Sequence, residues 1–255
     1  KQNGDFIWVR KMDGPNNTAQ LAYEIEIDPV GNIYIAGSIQ QLSDMDPDPG
    51  NEEYLTGQNS DAFVEKLNAN GEYLWAKQIG GSPNFDAAWG LSLDPTGNYV
   101  YATGYIWGDS NMDLPNGNVP LTIQGETDAW VEKIAADGTV IWANQIGGPG
   151  FDIGRSVTTD AAGNVYAAMS FNGDANFDLP DGSIIISAVD GSTDGATVKF
   201  DNIAVFPVGP TEVIWTATDA SGNSVSCPAQ TITINDTEAP VMECFDNIET
   251  YLDID

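Results

Sequence analysis

In the stretch EYLWAKQI, residues 72–79, Tyr73, Trp75, Lys77 and Ile79 fall on one side of an extended chain and Leu74, Ala76 and Gln78 on the other. A period of two with aromatic and branched residues predicts a half-buried strand, not a helix. The stretch is preceded by NANG (68–71), and its later counterpart TVIWANQI (139–146) by AADG (135–138). Asn-Gly and Asp-Gly supply the positive φ of a tight hairpin, so DAFVEKL (61–67) is predicted to pair antiparallel with EYLWAKQI. DPTGN (94–98) is predicted to join GLSLD to NYVYATGY in the same way.

The pattern recurs. EYLWAKQIGG returns as TVIWANQIGG and, more faintly, as DFIWVRKMDG (5–14), which spaces Trp8, Trp75 and Trp142 67 residues apart. The turns starting at Asp28, Asp94 and Asp160 are 66 residues apart, and SDAFVEKL (60–67) returns as TDAWVEKI (127–134). A fixed period of this kind decides architecture before any local assignment. Each unit reads as four strands with about 20 residues inserted after the second, long enough for a functional loop. Four antiparallel strands per repeat describe a propeller blade. The expected fold is therefore all-β: three four-stranded blades over residues 1–201, in units of about 1–67, 68–134 and 135–201.

The run W-x-x-x-x-G-G, D-x-x-G-N-x-Y-x-x-G and D-A-F-V-x-K-L resembles the bacterial β-propeller repeat family called SBBP. That resemblance implies secreted or surface-exposed blades in large bacterial proteins and no single biochemical activity. Residues 206–240, FPVGPTEVIWTATDASGNSVSCPAQTITINDTEAP, resemble the later half of a hyalin repeat, an immunoglobulin-like β-sandwich of adhesins. Residues 202–238 would then be part of one sandwich and 239–255 the start of the next. Trp215 is expected to point inward and DASGN (219–223) to form a hairpin turn. Three blades do not close a propeller, and 204–238 is too short for a sandwich. The chain opens on the DFIWVRKM strand and its third unit stops at DGATVKFD, a phase that suits closure by an amino-terminal strand. The sequence is therefore expected to join two separated pieces between Lys199 and Phe206, the alternative being a short chain that buries its open blade edges by self-association.

Charge and chemistry narrow the function. The 255 residues carry 38 acids, 8 bases and no histidine, a formal charge of -30. Such a chain repels nucleic acid and anionic lipid, and it lacks the usual general base and the commonest transition-metal ligand. No run of 18 apolar residues is long enough to span a membrane. The amino terminus has no basic start followed by an apolar stretch, so any export signal is expected to have been removed. Without His, Ser-His, Cys-His and His-containing zinc sites are unavailable, and ADGTVIW lacks the sialidase-type Asp-box spacing, so no enzyme is expected.

The inserts hold the candidate ligands. Asp44, Asp46 and Asp48, then Asp109, Asn111 and Asp113, then Asp174, Asn176 and Asp178 place oxygens two residues apart. That spacing suits a calcium ion wrapped by a tight loop. It equally suits Asx turns that present Met45, Met112 and Phe177 to the core. An EF-hand is excluded, because Leu55, Pro120 and Ile185 stand where its closing Glu belongs. Asp28, Asp94 and Asp160 are assigned to closing turns. Asp61, Asp128 and Asp194 either cap strand entry or reach back as extra ligands. Trp89, Trp107 and Trp130 either pack between blades or form a sugar-stacking platform. Cys227 and Cys244 are the disulfide candidates of an exported chain. Asp236 and Glu238 are linker acids or ligands of an inter-domain calcium.

The function expected is a non-catalytic extracellular adhesin or surface-filament component. Its partners would be a glycan, a protein surface or further copies of itself. The alternative is a glycan-binding accessory module of a larger secreted enzyme.

Overall fold

A computed structural model describes residues 5, 7–14, 19–46, 48, 50–81, 84–114, 117–177, 185–188, 193–200, 209–213, 216–219, 224–226 and 230–234, with side chains to Phe200 except for 111–120. The first sheet is β1 (Gln20–Ile27), β2 (Ile33–Asp44), β3 (Tyr54–Leu67) and β4 (Tyr73–Ile79), in that order. In the second, β5 (Ala87–Leu93) and β6 (Tyr99–Ile106) are followed by an insert hairpin, β7 (Ser110–Leu114) and β8 (Gly117–Leu121), and then by β9 (Asp128–Ala135) and β10 (Val140–Ile146). The third holds β11 (Ile153–Thr159) and β12 (Val165–Asn172), an insert pair β13 (Asp174–Asn176) and β14 (Ile185–Ser187), and β15 (Thr193–Phe200). Pairing within each blade is antiparallel, and the predicted hairpins are present: Ala62 faces Ile79, and Leu93 faces Val100. The fold is all-β, built of four-stranded blades.

Apolar positions of each strand are sorted between neighbouring blades. Tyr34, Ala36, Val64 and Ile79 of the first blade meet Leu91, Ala102, Trp130 and Ile134 of the second. Tyr101, Val131 and Ile146 of the second meet Val157, Ala167 and Phe200 of the third. In each blade a lysine of the third strand faces a tyrosine of the second: Lys66 with Tyr34, Lys133 with Tyr101, Lys199 with Tyr166. Each ammonium lies over an aromatic ring, closest at 3.8 Å from Lys133 to Tyr99, which holds a charge at an apolar interface.

Strict alternation fails at Tyr73. A bulge places Tyr73 opposite Leu67 and Trp75 opposite Lys66. Tyr73 therefore joins Ile39, Met45 and Phe63 on the outer side of the first blade, while Trp75 packs toward the second.

The amino-terminal stretch forms no strand among its described residues, contrary to the expected DFIWVRKM strand. Its placement nevertheless follows the repeat. Trp75 Nε1 and Lys66 Nζ both donate to the Ala136 carbonyl in the next blade's turn, at 3.0 and 2.8 Å. Arg10 donates to Asn70 O at 3.3 Å in the corresponding turn of the first blade, and the Trp8 ring lies against Gly71 there. Asp13 bridges Asp44 as Gly147 bridges Asn176. Residues 8–13 thus occupy the place that the outer strand of a preceding blade would fill.

Beyond Phe200 the tail supplies β16 (Gly209–Val213), β17 (Thr216–Asp219), β18 (Ser224–Ser226) and β19 (Gln230–Ile234). β17 pairs with β15, Ala196 opposite Asp219 and Val198 opposite Ala217, so the third blade has its fourth strand from the tail. β18 adds a fifth, and β16 pairs with β19. The junction at 201–208, Trp215, the 220–223 turn, Cys227, Asp236, Glu238 and Cys244 lie outside the described residues.

Candidate functional site

The turn aspartates accept the hydrogen bonds their spacing predicts. Asp28 Oδ1 takes the Val30 and Asn32 amides at 3.1 and 2.8 Å, and Asp160 Oδ1 those of Ala162 and Asn164, both at 2.9 Å. Asp94 takes the Thr96 and Tyr99 amides.

The first insert is spent in the same way. Asp44 Oδ1 accepts from the Asp46 and Glu53 amides at 3.1 and 3.0 Å, and Asp46 Oδ1 from Asp48 at 2.9 Å. Asp48 lies 3.7 Å from Arg10, and Met45 is fully buried. In the other inserts Asp109 and Asp174 are exposed. Asn176 exchanges backbone bonds with Gly147, at 2.7 and 3.1 Å, which clips the third insert to the preceding blade. Side chains of Asn111 and Asp113, and all of Asp178, lie outside the described residues. Among the described residues no three acidic side chains are arranged to hold a metal ion. Asp44→Ala is expected to lower stability by about 1 kcal/mol, equally with and without a chelator, read as melting temperature in the two buffers.

Sequence reasoning missed a second repeated acid. Asp86 and Asp152, in NFDAAWG and GFDIGRS, are buried beside Asp61 and Asp128 at the blade junctions. Asp86 accepts the Trp107 amide at 2.7 Å and the Ser110 hydroxyl at 3.3 Å; Asp152 accepts the Gly148 amide at 2.7 Å and that of Asn172 at 3.3 Å. Asp61 takes the Gln78 side chain at 2.5 Å and the Gln58 amide at 3.3 Å, Asp128 the Gln145 side chain at 2.5 Å and the Gln124 amide at 3.1 Å. These are strand-entry caps, one of the two roles expected of them. Burial pushes Asp86 and Asp152 up to about 7 and Asp128 to about 6, against the hydrogen bonds, and raises Asp61 as well. Recurrence of Phe-Asp at a spacing of 66 residues is the signal that would have found them.

Asp86 and Asp152 each follow an exposed phenylalanine. Phe85 and Phe151 bridge the preceding blade at Ser60 and Thr127, and each is 48% exposed. Trp107, 39% exposed, stands between them, 6.3 Å from Phe85 and 6.4 Å from Phe151 by ring centroids. The three tryptophans of the second unit therefore separate: Trp130 is core, Trp107 joins an exposed row of rings, and Trp89 contacts Tyr23, Tyr105 and Arg155. No helix among the described residues is long and apolar enough to cross a membrane.

No family model matches the chain. The regulatory protein FlaEY of Caulobacter vibrioides is 28% identical over 135 residues, 53% of this chain and 13% of that protein. An uncharacterized WD repeat-containing protein of Acanthamoeba polyphaga mimivirus is 26% identical over 163 residues, 55% of this chain and 12% of that protein. The chain thus spans about an eighth of the length of these curated relatives. With the four-stranded antiparallel sheets, the likeness to a WD repeat protein gives an all-β repeat protein of propeller-like blades.

Proposed function

We propose that the chain is a non-catalytic part of a secreted or cell-surface bacterial protein. In this reading SBBP-type blades, the third completed by strands of the tail, form a rigid scaffold, hyalin-type modules follow beyond those strands, and the blade ends hold a glycan. The observation that carries it is the row Phe85–Trp107–Phe151, three partly exposed rings set on buried, hydrogen-bonded aspartates. Exposed aromatic rings in register mark contact surfaces, and their flat apolar faces stack on the C–H faces of sugars. Acid–base chemistry is left out because the buried aspartates are engaged in capping and in positioning backbone. The same row serves an accessory module of an exoenzyme equally well. A catalytic domain elsewhere in the full-length protein would favour that second role, and many sandwich modules the adhesin.

The test is retention on neutral polysaccharides. Trp107→Ala is expected to lower affinity about tenfold or more with an unchanged melting curve. Leu74→Ala, at a similarly exposed position on β4, is expected to bind as the parent does. Absence of retention on every neutral polysaccharide, or equal retention of the two variants, overturns the reading.

A further inference from the structure

All three blades are bulged at the same point of their first strand. The ladder skips between Ala22 and Glu24, between Ala88 and Gly90, and between Gly154 and Ser156. The extra residues are Tyr23, Trp89 and Arg155. A bulge takes one residue out of the pairing and re-aims its side chain. Across the sheet, next to each bulge, stands a hydroxyl residue: Ser38 opposite Leu21, Tyr105 opposite Ala87, Ser170 opposite Ile153.

Within each blade the pair is in contact. The Tyr23 and Ser38 hydroxyls are 3.3 Å apart, the Trp89 and Tyr105 rings 5.3 Å, and Arg155 Nε donates to Ser170 Oγ at 3.0 Å. Between blades the row is continuous, because Tyr23 meets Trp89 edge-on at 6.5 Å and the Arg155 guanidinium lies 4.8 Å above Trp89. β5 and β11 approach so closely that a Cβ on Gly90 would sit 2.9 Å from Ser156 Cα. At the first blade the row ends in an open groove of about 270 Å³ lined by Tyr23, Glu24 and Ile35.

Arg155 is the unusual member. The chain has 38 acids and 8 bases, yet among the described residues this exposed guanidinium forms no ion pair. A ring and one hydroxyl hold it in place, leaving its terminal N–H groups directed at no carboxylate of the described residues. A guanidinium stacked on an aromatic ring is prearranged for a planar, two-oxygen acceptor. A formal charge of -30 disfavours polyanions, so the acceptor belongs on an otherwise neutral body.

We propose that this row is a saccharide subsite that selects a sugar bearing one carboxylate. Arg155 takes the carboxylate, Trp89 and Tyr23 supply apolar surface for the ring, and the hydroxyls of Tyr23, Tyr105 and Ser170, with the Glu24 carboxylate, meet the sugar hydroxyls. The inference rests on the glycan-binding reading but uses different residues from the Phe85–Trp107–Phe151 row.

Calorimetric titration of the whole chain with glucuronate, glucose and acetate tests it. Glucuronate is expected to bind saturably and at least tenfold more tightly than glucose or acetate. Arg155→Gln should reduce glucuronate to the level of glucose, and Arg155→Lys should lose most of the preference because a lysine cannot make the paired contact. Both variants alter an exposed side chain, and their melting curves establish that they fold. Trp107→Ala should keep glucuronate binding even where it has lost polysaccharide, which separates this subsite from the ring row. Glucuronate bound no better than glucose or acetate, or bound equally by Arg155→Gln, overturns the proposal whatever the polysaccharide result.

Discussion

Raising the pH from about 5 to about 8.5 is expected to lower the melting temperature by on the order of 10 °C. Burial raises Glu132 to about 8, with the Lys77 charge opposing, and Glu65 to about 8, with the Asp46 charge adding to the effect. Asp86 and Asp152 follow at about 7 and Asp128 at about 6. Each carboxyl binds its proton more tightly folded than unfolded. Its contribution is complete below the ordinary carboxylate range and is lost as the pH climbs through the folded value. At about 1.4 kcal/mol per unit, Glu132 alone is worth several kcal/mol across that window. Relief of repulsion among 38 acids on acidification acts in the same direction. Glu132→Gln should flatten the profile and raise the melting temperature at the alkaline end, because a neutral amide replaces a buried carboxylate whose Oε1 has no hydrogen-bond partner. Thermal unfolding across the range checks this; a flat or rising profile in the parent, or the same slope in Glu132→Gln, sinks it.

Gly148→Ala is expected to cost about 3 kcal/mol or more, enough to reduce soluble yield. A Cβ there would overlap the backbone carbonyl oxygen of Asp174, where the third insert crosses the end of β10. The clash is with backbone, so no rotamer relieves it, and displacement would also disturb the Gly148 amide bonded to Asp152. Gly195→Ala is the control. Its Cβ would meet only Met169 O, at 3.7 Å, so the change should be within about 1 kcal/mol of neutral. Denaturant midpoints of the two variants decide the matter, and equal midpoints would remove the steric account.

The collision also explains the recurring Gly-Gly. Gly147 lies against the Asp128 carboxyl and Gly148 against the insert; Gly80 lies against Asp61 in the same way, with a Cβ 2.5 Å from its Cγ. At Gly147–Gly148 two neighbours from different parts of the repeat press on one short segment.

What the sequence made legible was local. Asp28 and Asp160 close their own turns within four residues, so spacing alone identifies their partners. The β3–β4 and β5–β6 hairpins depend on adjacent residues and were read for the same reason. The tail was harder, because β17 joins β15 through pairing that no short motif encodes. Tyr73 changes sides at a bulge that leaves no mark on the alternation of EYLWAKQI. Of the bulge row only Trp89 stood out, as one of a tryptophan cluster: Tyr23, Trp89 and Arg155 share a position but no chemistry, so comparing repeats by residue type does not join them. The insert acids repeat in sequence, but the first set is consumed by neighbouring amides, and repetition alone does not distinguish a ligand from an acceptor of backbone hydrogen bonds.

Two donors from one blade, Trp75 and Lys66, meet on a single carbonyl of the next, Ala136. Under tension drawn along the chain, such a joint loads in shear with the two bonds in parallel, so separating the blades requires both to fail together with the apolar contacts behind them. The array would then yield in discrete steps rather than peel one bond at a time.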